Sequence, residues 1–394
     1  MSASTSPLAG VTVLDFTRIL SGPYCTLLLA DQGAEVIKVE APDGGDDTRR
    51  WGPPFLADGS SAYFAALNRG KKSIVVDLRL PAGRARIHAL VRRVDVVVEN
   101  FRPGVAERLG IDFSTLSGLN PRLVVCSISG YGLDSGYSHL PGTEIIIEAM
   151  SGAMHVTGDP DGEPVRFGPA MIDIATGLTA ATKITAALLR ARETGEGAHV
   201  TSSLYATALA SLSTLITSYG VDGVEPRRWG SHHPSIAPYG GFPTADGNLV
   251  TGAINDRTWT TFVAVLGLEV EAGWATNPGR VADRDRLNER IAAITRTRTT
   301  GEWVDLLNEH GLLVAPIRTV GQAVDDPVTQ SMNLLVPLDG ESTVSAPRLD
   351  GEPAGDGTPQ HVPAIGEHTD EILGGLAGTF SGTSSSDLPE SPRP

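Results

Sequence analysis

The first hundred residues alternate between short β-branched runs and segments with apolar residues at helical spacing, and that order leaves few folds open. VTVLDF (11–16) is followed by GPYCTLLLADQG (22–33), which ends on Gly33, and then by EVIKVE (35–40). Strand, helix and strand in this order imply a parallel pair with the helix crossing one face. The pattern continues with KSIVVDL (72–78), a helix over 81–93, VDVVVENF (94–101), and RLVVCSISGYG (122–132) as a strand and turn. Such a chain folds as an α/β protein with a Rossmann-like, doubly wound parallel sheet, and its ligands sit outside the carboxyl ends of the strands.

At 394 residues the chain is longer than one simple core fills, so two domains or one elaborate one are expected. IATGLTAATKITAALLRARE (174–193) reads as a helix that stops at TGEGAHV before a strand, and a second apolar helix covers roughly 203–218. The composition then shifts: 220–247 is rich in Gly and Pro and marks the passage into another unit. NLVTGA, TWTTFVAVLG, two further helical patterns and LLVAPIRT describe a smaller α+β domain. The boundaries expected are 1–220 for the large domain, 221–325 for the small one and 326–375 for a return to the large one, with GEHTDEIL (366–373) as a last helix start. The Ser-, Gly- and Pro-rich end, 376–394, reads as a disordered tail.

Charge removes several functions. Lys and Arg number 31 against 46 Asp and Glu, a net −15, which argues against nucleic-acid and anionic-membrane partners. An anionic ligand would therefore need a local basic pocket. Cys25 and Cys126, the only cysteines, have no metal-binding or CxxC spacing, so a reducing, cytoplasmic setting and no metal are expected. No stretch of about 20 apolar residues is read in the chain, so no spanning helix is expected, and MSASTSPLAG lacks the basic and apolar regions of a secretion signal.

The first strand–helix turn reads TRILSGPYC, not GxGxxG, and a proline stands where backbone amides would approach a pyrophosphate, so no NAD site is expected. Basic residues gather in NRGKKS (68–73) and ENFRPGVAERLG (99–110): Lys71, Lys72, Arg102 and Arg108 could meet phosphates, and Asn100 or Phe101 an adenine or pantetheine. There is no GxSxG, and Cys25 lies in an apolar helical pattern. His232 and His233, in the Gly/Pro-rich crossing, are either loop residues or substrate contacts, and no spaced Cys or His partner makes them a zinc site. Asp173, in FGPAMIDIATG (167–177), stands at the mouth of a helix. It is either an N-cap or a carboxylate kept ionised and nucleophilic there, and the local pattern does not choose.

PLAGVTVLDFTRILSGPYCTLLLADQGAEVIKVEAP, NRGKKSIVVDL, VVVENFRPGVAERLG, AMSGAMHVTGDPDGEPVRFGPAMIDIATG and GEHTDEIL, in this order from about residue 7 to 375, resemble the class III CoA-transferases. That family includes formyl-CoA, carnitine-CoA and succinyl-CoA transferases and the α-methylacyl-CoA racemases. The resemblance implies an interlocked homodimer whose large domain is made from both chain ends, with the small domain inserted. It implies coenzyme A, carried as acyl-CoA, and a carboxylic acid acceptor as ligands, with Asp173 as covalent nucleophile. By position it makes Lys71, Asn100, Phe101 and Arg108 CoA contacts, with Ile19, Leu20, Ser21 and Lys72 beside them at the ligand's entrance and phosphates.

The racemases of this family use a His and an Asp in a Gly-His-Asp motif, where this chain has PGTEIIIEAMSG. Thr143 cannot serve as a second base, which favours the transferase over the racemase or epimerase alternative. Glu144 is expected to orient the site as its second carboxylate. The transferases usually carry Tyr before that acid, so Thr143, a substrate contact by position, departs from them as well. The chain also lacks the glycine run of formyl-CoA transferases, and YGGFP (239–243) is the candidate for its oxyanion donors, with Tyr239, Gly240 and Gly241 at the substrate. Arg227, Arg228, His232 and His233 suit a dicarboxylate such as succinate and equally a surface loop. A protein that binds CoA without turnover is the reading from another class.

Overall fold

Val96, Val97 and Val98 are all buried although they point alternately to opposite faces, so both faces of their strand are covered. The computed structural model describes residues 6–340, 345–352 and 358–375, and the tail expected at 376–394 lies outside them. In chain order the first unit holds β1 (Thr12–Asp15), α1 (Ser21–Asp31), β2 (Glu35–Glu40), α2 (Ala62–Asn68), β3 (Lys72–Val75), α3 (Pro81–Val91) and β4 (Val96–Glu99). There follow α4 (Val105–Leu109), α5 (Phe113–Leu119), β5 (Val124–Ser129), α6 (Glu144–Ser151), α7 (Met171–Thr194), β6 (Ala198–Ser203) and α8 (Leu204–Ser211). The six strands form one sheet in the order β3-β2-β1-β4-β5-β6, and every pair is parallel. This is the Rossmann strand order, and the order reverses between β1 and β4.

The period of two sorts the core. Val13, Val96, Val98, Val124 and Cys126 pack with Cys25, Leu28 and Leu29 of α1 and with Ala180, Ala181 and Ile184 of α7. On the other face Leu14, Val97 and Val125 pack with Ile87, Leu90 and Val91 of α3, with Leu116 of α5 and with Leu373 of a last helix, Thr369–Gly374. Each such side chain contributes about 1.5–3 kcal/mol by leaving water. α7 is the helix the sequence starts at 174, and it begins three residues earlier. By length and composition it is apolar enough to span a bilayer, contrary to the expectation that no stretch is, because Thr, Gly and Lys break every apolar run while Ile, Leu and Ala keep the mean hydropathy high. In the fold it packs on α1, where a Cβ on Gly177 would lie 2.7 Å from the Ser21 carbonyl oxygen.

The single apolar helix expected over 203–218 is two, α8 and α9 (Ser213–Asp222). The second unit comprises Gly152–Arg166 and Thr217–Gln330. Its β7 (Tyr239–Pro243), β8 (Asn248–Gly252) and β9 (Leu313–Pro316) form an antiparallel sheet in the order β7-β8-β9. The helices α10 (Asp256–Leu266), α11 (Asn277–Ala282), α12 (Arg284–Thr295) and α13 (Thr300–Glu309) accompany it, and Phe242, Leu249, Trp259, Phe262, Trp274, Leu287 and Trp303 make its core. Residues 152–166, read from the sequence as part of the large domain, belong to this unit. Arg228 donates to the carbonyls of His155 and Asp159, and Gly230 N to that of Gly158, partners that sequence patterning does not reveal.

The first unit takes up the chain again from Ser331, with an antiparallel pair β10 (Leu335–Pro337) and β11 (Ser345–Pro347). Arg69, fully buried, fastens this return. Its guanidinium donates to both Asp31 oxygens at 2.7 and 2.9 Å and to the Pro347 carbonyl at 2.9 Å. Removing one partner of a buried pair strands the other. Arg69→Ala should therefore destabilise the protein by about 3–5 kcal/mol, read as a shift of the denaturant midpoint, whereas replacing the exposed Arg190 should leave it in place.

Candidate active site

The reversal between β1 and β4 opens a crevice at the carboxyl ends of the strands. Two pockets occupy it and share Arg18 and Phe101 as a common wall. The first, about 370 Å³, lies beyond β1, β2 and β3 and is lined by Phe16, Val39, Val76 and Leu78 with Lys38, Arg79 and Arg108. The second, about 280 Å³, lies beyond β1, β4 and β5. Ile19, Leu20, Ser21, Asn100, Phe101, Thr143, Glu144 and Asp173 line it, with Ser129 and Gly130. Asn100 ties its two loops together by accepting from Arg18 N at 3.0 Å and donating to Arg18 O at 2.8 Å.

Asp173 is not the N-cap of α7. It is the third residue of the helix, after Ala170 at the cap position, whose side chain has nothing to offer the amides. The cap comes from α6: Glu144 accepts the amide of Ile172 at 3.0 Å and that of Asp173 at 2.6 Å. Glu144 thus does the work of an N-cap from 29 residues away, and the Asp173 carboxylate is left free to face the pocket. Burial pushes the Asp173 carboxyl above its ordinary value, while the Ser21 hydroxyl and the Glu144 carboxyl pull the other way. Glu144 is also raised, first by burial and then by the Asp173 charge, against the two amides it accepts. The pair is two desolvated carboxyls beside a helix N-terminus, a setting that makes an oxygen nucleophile less hydrated than in water.

Of the residues singled out from the sequence, Ile19, Leu20, Ser21, Asn100, Phe101, Thr143, Glu144 and Asp173 therefore meet in one pocket, and Arg108 lines the adjoining one. Lys71 does not join them. Its ammonium is buried and donates to Asp15, Thr26, Asn68 and the Pro23 carbonyl within 3.1 Å, so no valence is left for a phosphate. Burial, opposed by Asp15, brings its pKa down to about 8. Lys72 begins β3, at the amino end of the sheet, and pairs with Glu35 and Glu371 at 2.8 and 2.9 Å. Neither lysine is a phosphate contact here.

His232, His233, Tyr239, Gly240 and Gly241 belong to the second unit. YGGFP is strand β7, paired with β8, rather than a loop. Its glycines are required by crowding: a Cβ on Gly240 would lie 2.1 Å from the His232 ring, and one on Gly241 2.6 Å from the Ser231 hydroxyl. His233 stacks on Tyr239, and burial lowers the pKa of His232. Among the described residues no three His, Cys, Asp or Glu side chains gather as metal ligands. Sequence reasoning missed Lys38, Asp46 and Arg18 in the pocket walls. The Asp-x-Thr spacing of Asp46 and Thr48, an Asx-type turn, was the available signal.

A pocket at the switch point, an uncapped α1 N-terminus and a half-buried carboxyl pair suit a nucleotide-bearing acyl ligand. The family model described as CoA-transferase family III matches residues 8–369. The chain belongs to CoA-transferase family III. It is 39% identical over 382 residues to the succinate–glutarate CoA-transferase of Agrobacterium fabrum, which covers 94% of this chain and 96% of that protein. It is 38% identical over 379 residues to the mouse succinyl-CoA:glutarate CoA-transferase, covering 94% and 86%. Among solved structures, a CAIB/BAIF family protein from Brucella suis superposes with a TM-score of 0.83 at 36% identity, covering 94% of this chain and all of that one. The protein is thus an enzyme that transfers CoA, and CoA is its substrate in thioester form.

The raised Asp173 carboxyl gives a signed expectation. Its folded value lies above its unfolded value of about 3.9, so its contribution to stability is present below that value and is lost as pH rises through the folded one. Asp173→Asn should therefore melt higher than the wild type at pH 7, and the two curves should converge as the pH falls towards about 4.

Proposed function

We propose that the enzyme moves CoA from a dicarboxylyl-CoA, with succinyl-CoA as the type donor, to a second carboxylic acid, through covalent intermediates on Asp173. The observation that carries this reading is the partly desolvated Asp173 carboxylate, which faces the crevice beside Ser21 because Glu144 has taken over the capping of its helix. The succinyl-, glutaryl- and oxalyl-directed names of the relatives support a dicarboxylate among the substrates.

An Asp173 oxygen adds to the donor's thioester carbonyl, the C–S bond breaks, and a mixed anhydride and CoA thiolate form. The thiolate then adds to the aspartyl carbonyl, which releases the donor acid and leaves an aspartyl-CoA thioester. The acceptor carboxylate attacks that thioester, and the thiolate set free attacks the acceptor's carbonyl in the new anhydride. The new acyl-CoA departs and Asp173 is regenerated. Each step exchanges one acyl bond for another, and no net proton is needed.

The oxyanions formed on the way need donors in place beforehand. The amides of Ser21 and Gly22 at the N-terminus of α1, which no side chain caps, and the Ser21 hydroxyl are suited to it. A side chain on Gly22 would strike Thr17, its Cβ lying 2.3 Å from that of Thr17, so glycine is needed there for the turn to close. The first pocket, with Phe16, Val39, Val76 and Leu78 in its wall, suits the adenine, and Arg108 at its rim suits the phosphates, whereas Arg79 is paired with Asp77 and Asp43. No histidine lines the second pocket among the described residues, and Thr143 supplies no base, so the racemase alternative lacks its second proton carrier. An interlocked dimer, with each chain threaded through its partner, is the assembly we propose on the family resemblance.

Incubation with succinyl-CoA followed by hydroxylamine or borohydride, with the modified residue mapped by mass spectrometry, tests the proposal. The label should fall on Asp173 alone, and Asp173→Ala should lose it together with transfer, by about 10³-fold or more. A succinyl-CoA:glutarate transfer rate that survives in Asp173→Ala would refute the covalent route. Glu144→Ala, which uncaps α7 and lets the nucleophile drift, should lower kcat by about 10²-fold and lower the melting temperature as well.

A further inference from the structure

The loop from Phe16 to Leu20 joins β1 to α1 and forms a wall of both pockets. Ile19 lies in it at φ = 72°, a left-handed conformation that a β-branched side chain resists. Such a conformation persists only where the surroundings over-determine it. Here they do so one peptide at a time. Thr17 N donates to Asp15 Oδ1 at 2.9 Å, and Lys38 Nζ to Thr17 O at 2.8 Å. Asn100 takes both polar groups of the Arg18 backbone. The amide of the strained residue itself, Ile19 N, donates to Asp46 Oδ1 at 3.3 Å.

Asp46 is built to stay where it is. It is buried, its Oδ1 also accepts from the amide and hydroxyl of Thr48, and its Oδ2 lies 3.0 Å from Lys38 Nζ. Its own amide donates to Glu40, which a bidentate Arg49 and the Ser73 hydroxyl hold in turn. A frame anchored on β2 and β3 therefore ends in one oxygen on the Ile19 amide, and the next two residues are Leu20 and Ser21, which face Asp173 in the second pocket.

We propose that Asp46 is a positioning residue for CoA transfer: through the Ile19 amide it keeps the β1–α1 loop in its strained form and so sets the α1 N-terminus and Ser21 against Asp173. This rests on the transferase reading above.

A double-mutant cycle tests it, with kcat, KM for succinyl-CoA, melting temperature and amide hydrogen exchange of the 17–22 segment measured for each protein. Asp46→Ala should lower kcat about 30-fold or more with KM changed less than about threefold, and should speed exchange in 17–22. Asp46→Asn keeps the acceptor oxygen while removing the charge beside Lys38. It should melt lower yet keep kcat within about threefold, because the tether and not the ion pair positions the loop. Glycine adopts φ = 72° without strain, so adding Asp46→Ala to Ile19→Gly should cost kcat several-fold less than adding it to the wild type. If Asp46→Ala does not fold, the same comparison with Asp46→Ser, which withdraws the acceptor from the Ile19 amide but leaves a polar group near Lys38, gives the same reading with the Lys38–Thr17 bond kept in place. An equal kcat penalty in the wild-type and Ile19→Gly backgrounds, or unchanged exchange in 17–22, would overturn the proposal. A wild type that moves no CoA would sink the transferase reading instead, and the exchange measurement would still decide whether Asp46 holds the loop.

Discussion

Two hydrogen bonds from the start of α7 to the Glu144 carboxylate decide what the crevice can do. A helix needs acceptors for its first amides, and a local Asp, Asn, Ser or Thr usually supplies them. Here the cap position is Ala170, and the acid that could have folded back, Asp173, is spared that duty. The arrangement costs desolvation of two neighbouring carboxyls, and both are raised as a result. What it leaves is a carboxyl at position 173 whose backbone is fixed by its neighbour and whose side chain faces the pocket.

The same division between scaffold and reacting group runs through the sheet. Asp15, at the end of β1, is buried, yet Lys71 and Lys38 and the hydroxyls of Thr17 and Thr26 hold its carboxyl below the usual range against the pull of burial. It faces no ligand, and it steadies the loop through Thr17 and the start of α1 through Thr26. Buried charge is thus spent around the pocket on geometry, while Asp173, the nucleophile we propose, stands at the pocket beside Ser21 and Glu144. The Asp46 tether belongs to this scaffold and reaches the chemistry only through a backbone amide.

Much of the fold was legible because apolar period and chain order are local properties. β1, α1, β2, β3, α3, β4 and β5 lie where the pattern puts them, within a few residues, and the parallel sheet follows from their order. The site was legible in part. Glu144 and Asp173 could be named, but that Asp173 does not cap its own helix follows from a contact spanning 29 residues, which no window around Asp173 contains. NRGKKS looks like a solvated turn, and only the fold reveals that Lys71 is aimed inward at Asp15 while Lys72 points away along the sheet's far end. The glycines of YGGFP resemble a ligand loop for a related reason: absence of a side chain records close approach of something, and here it is His232 and Ser231 of the same unit.

The return of the chain to the first unit has a consequence for synthesis. His368 N donates to the Ser73 carbonyl, Leu373 enters the core beside Ile74 and Val76, and Pro347 accepts from Arg69. The β3 side of the sheet is therefore finished by residues made almost three hundred positions later. A ribosome making this chain emits the entire second unit before that side can be covered. Until then Ile74 and Val76 have α3 and the neighbouring strands beside them but not Leu373, and the Ser73 carbonyl has no His368 amide, so this edge of the nascent sheet waits longest for its last contacts.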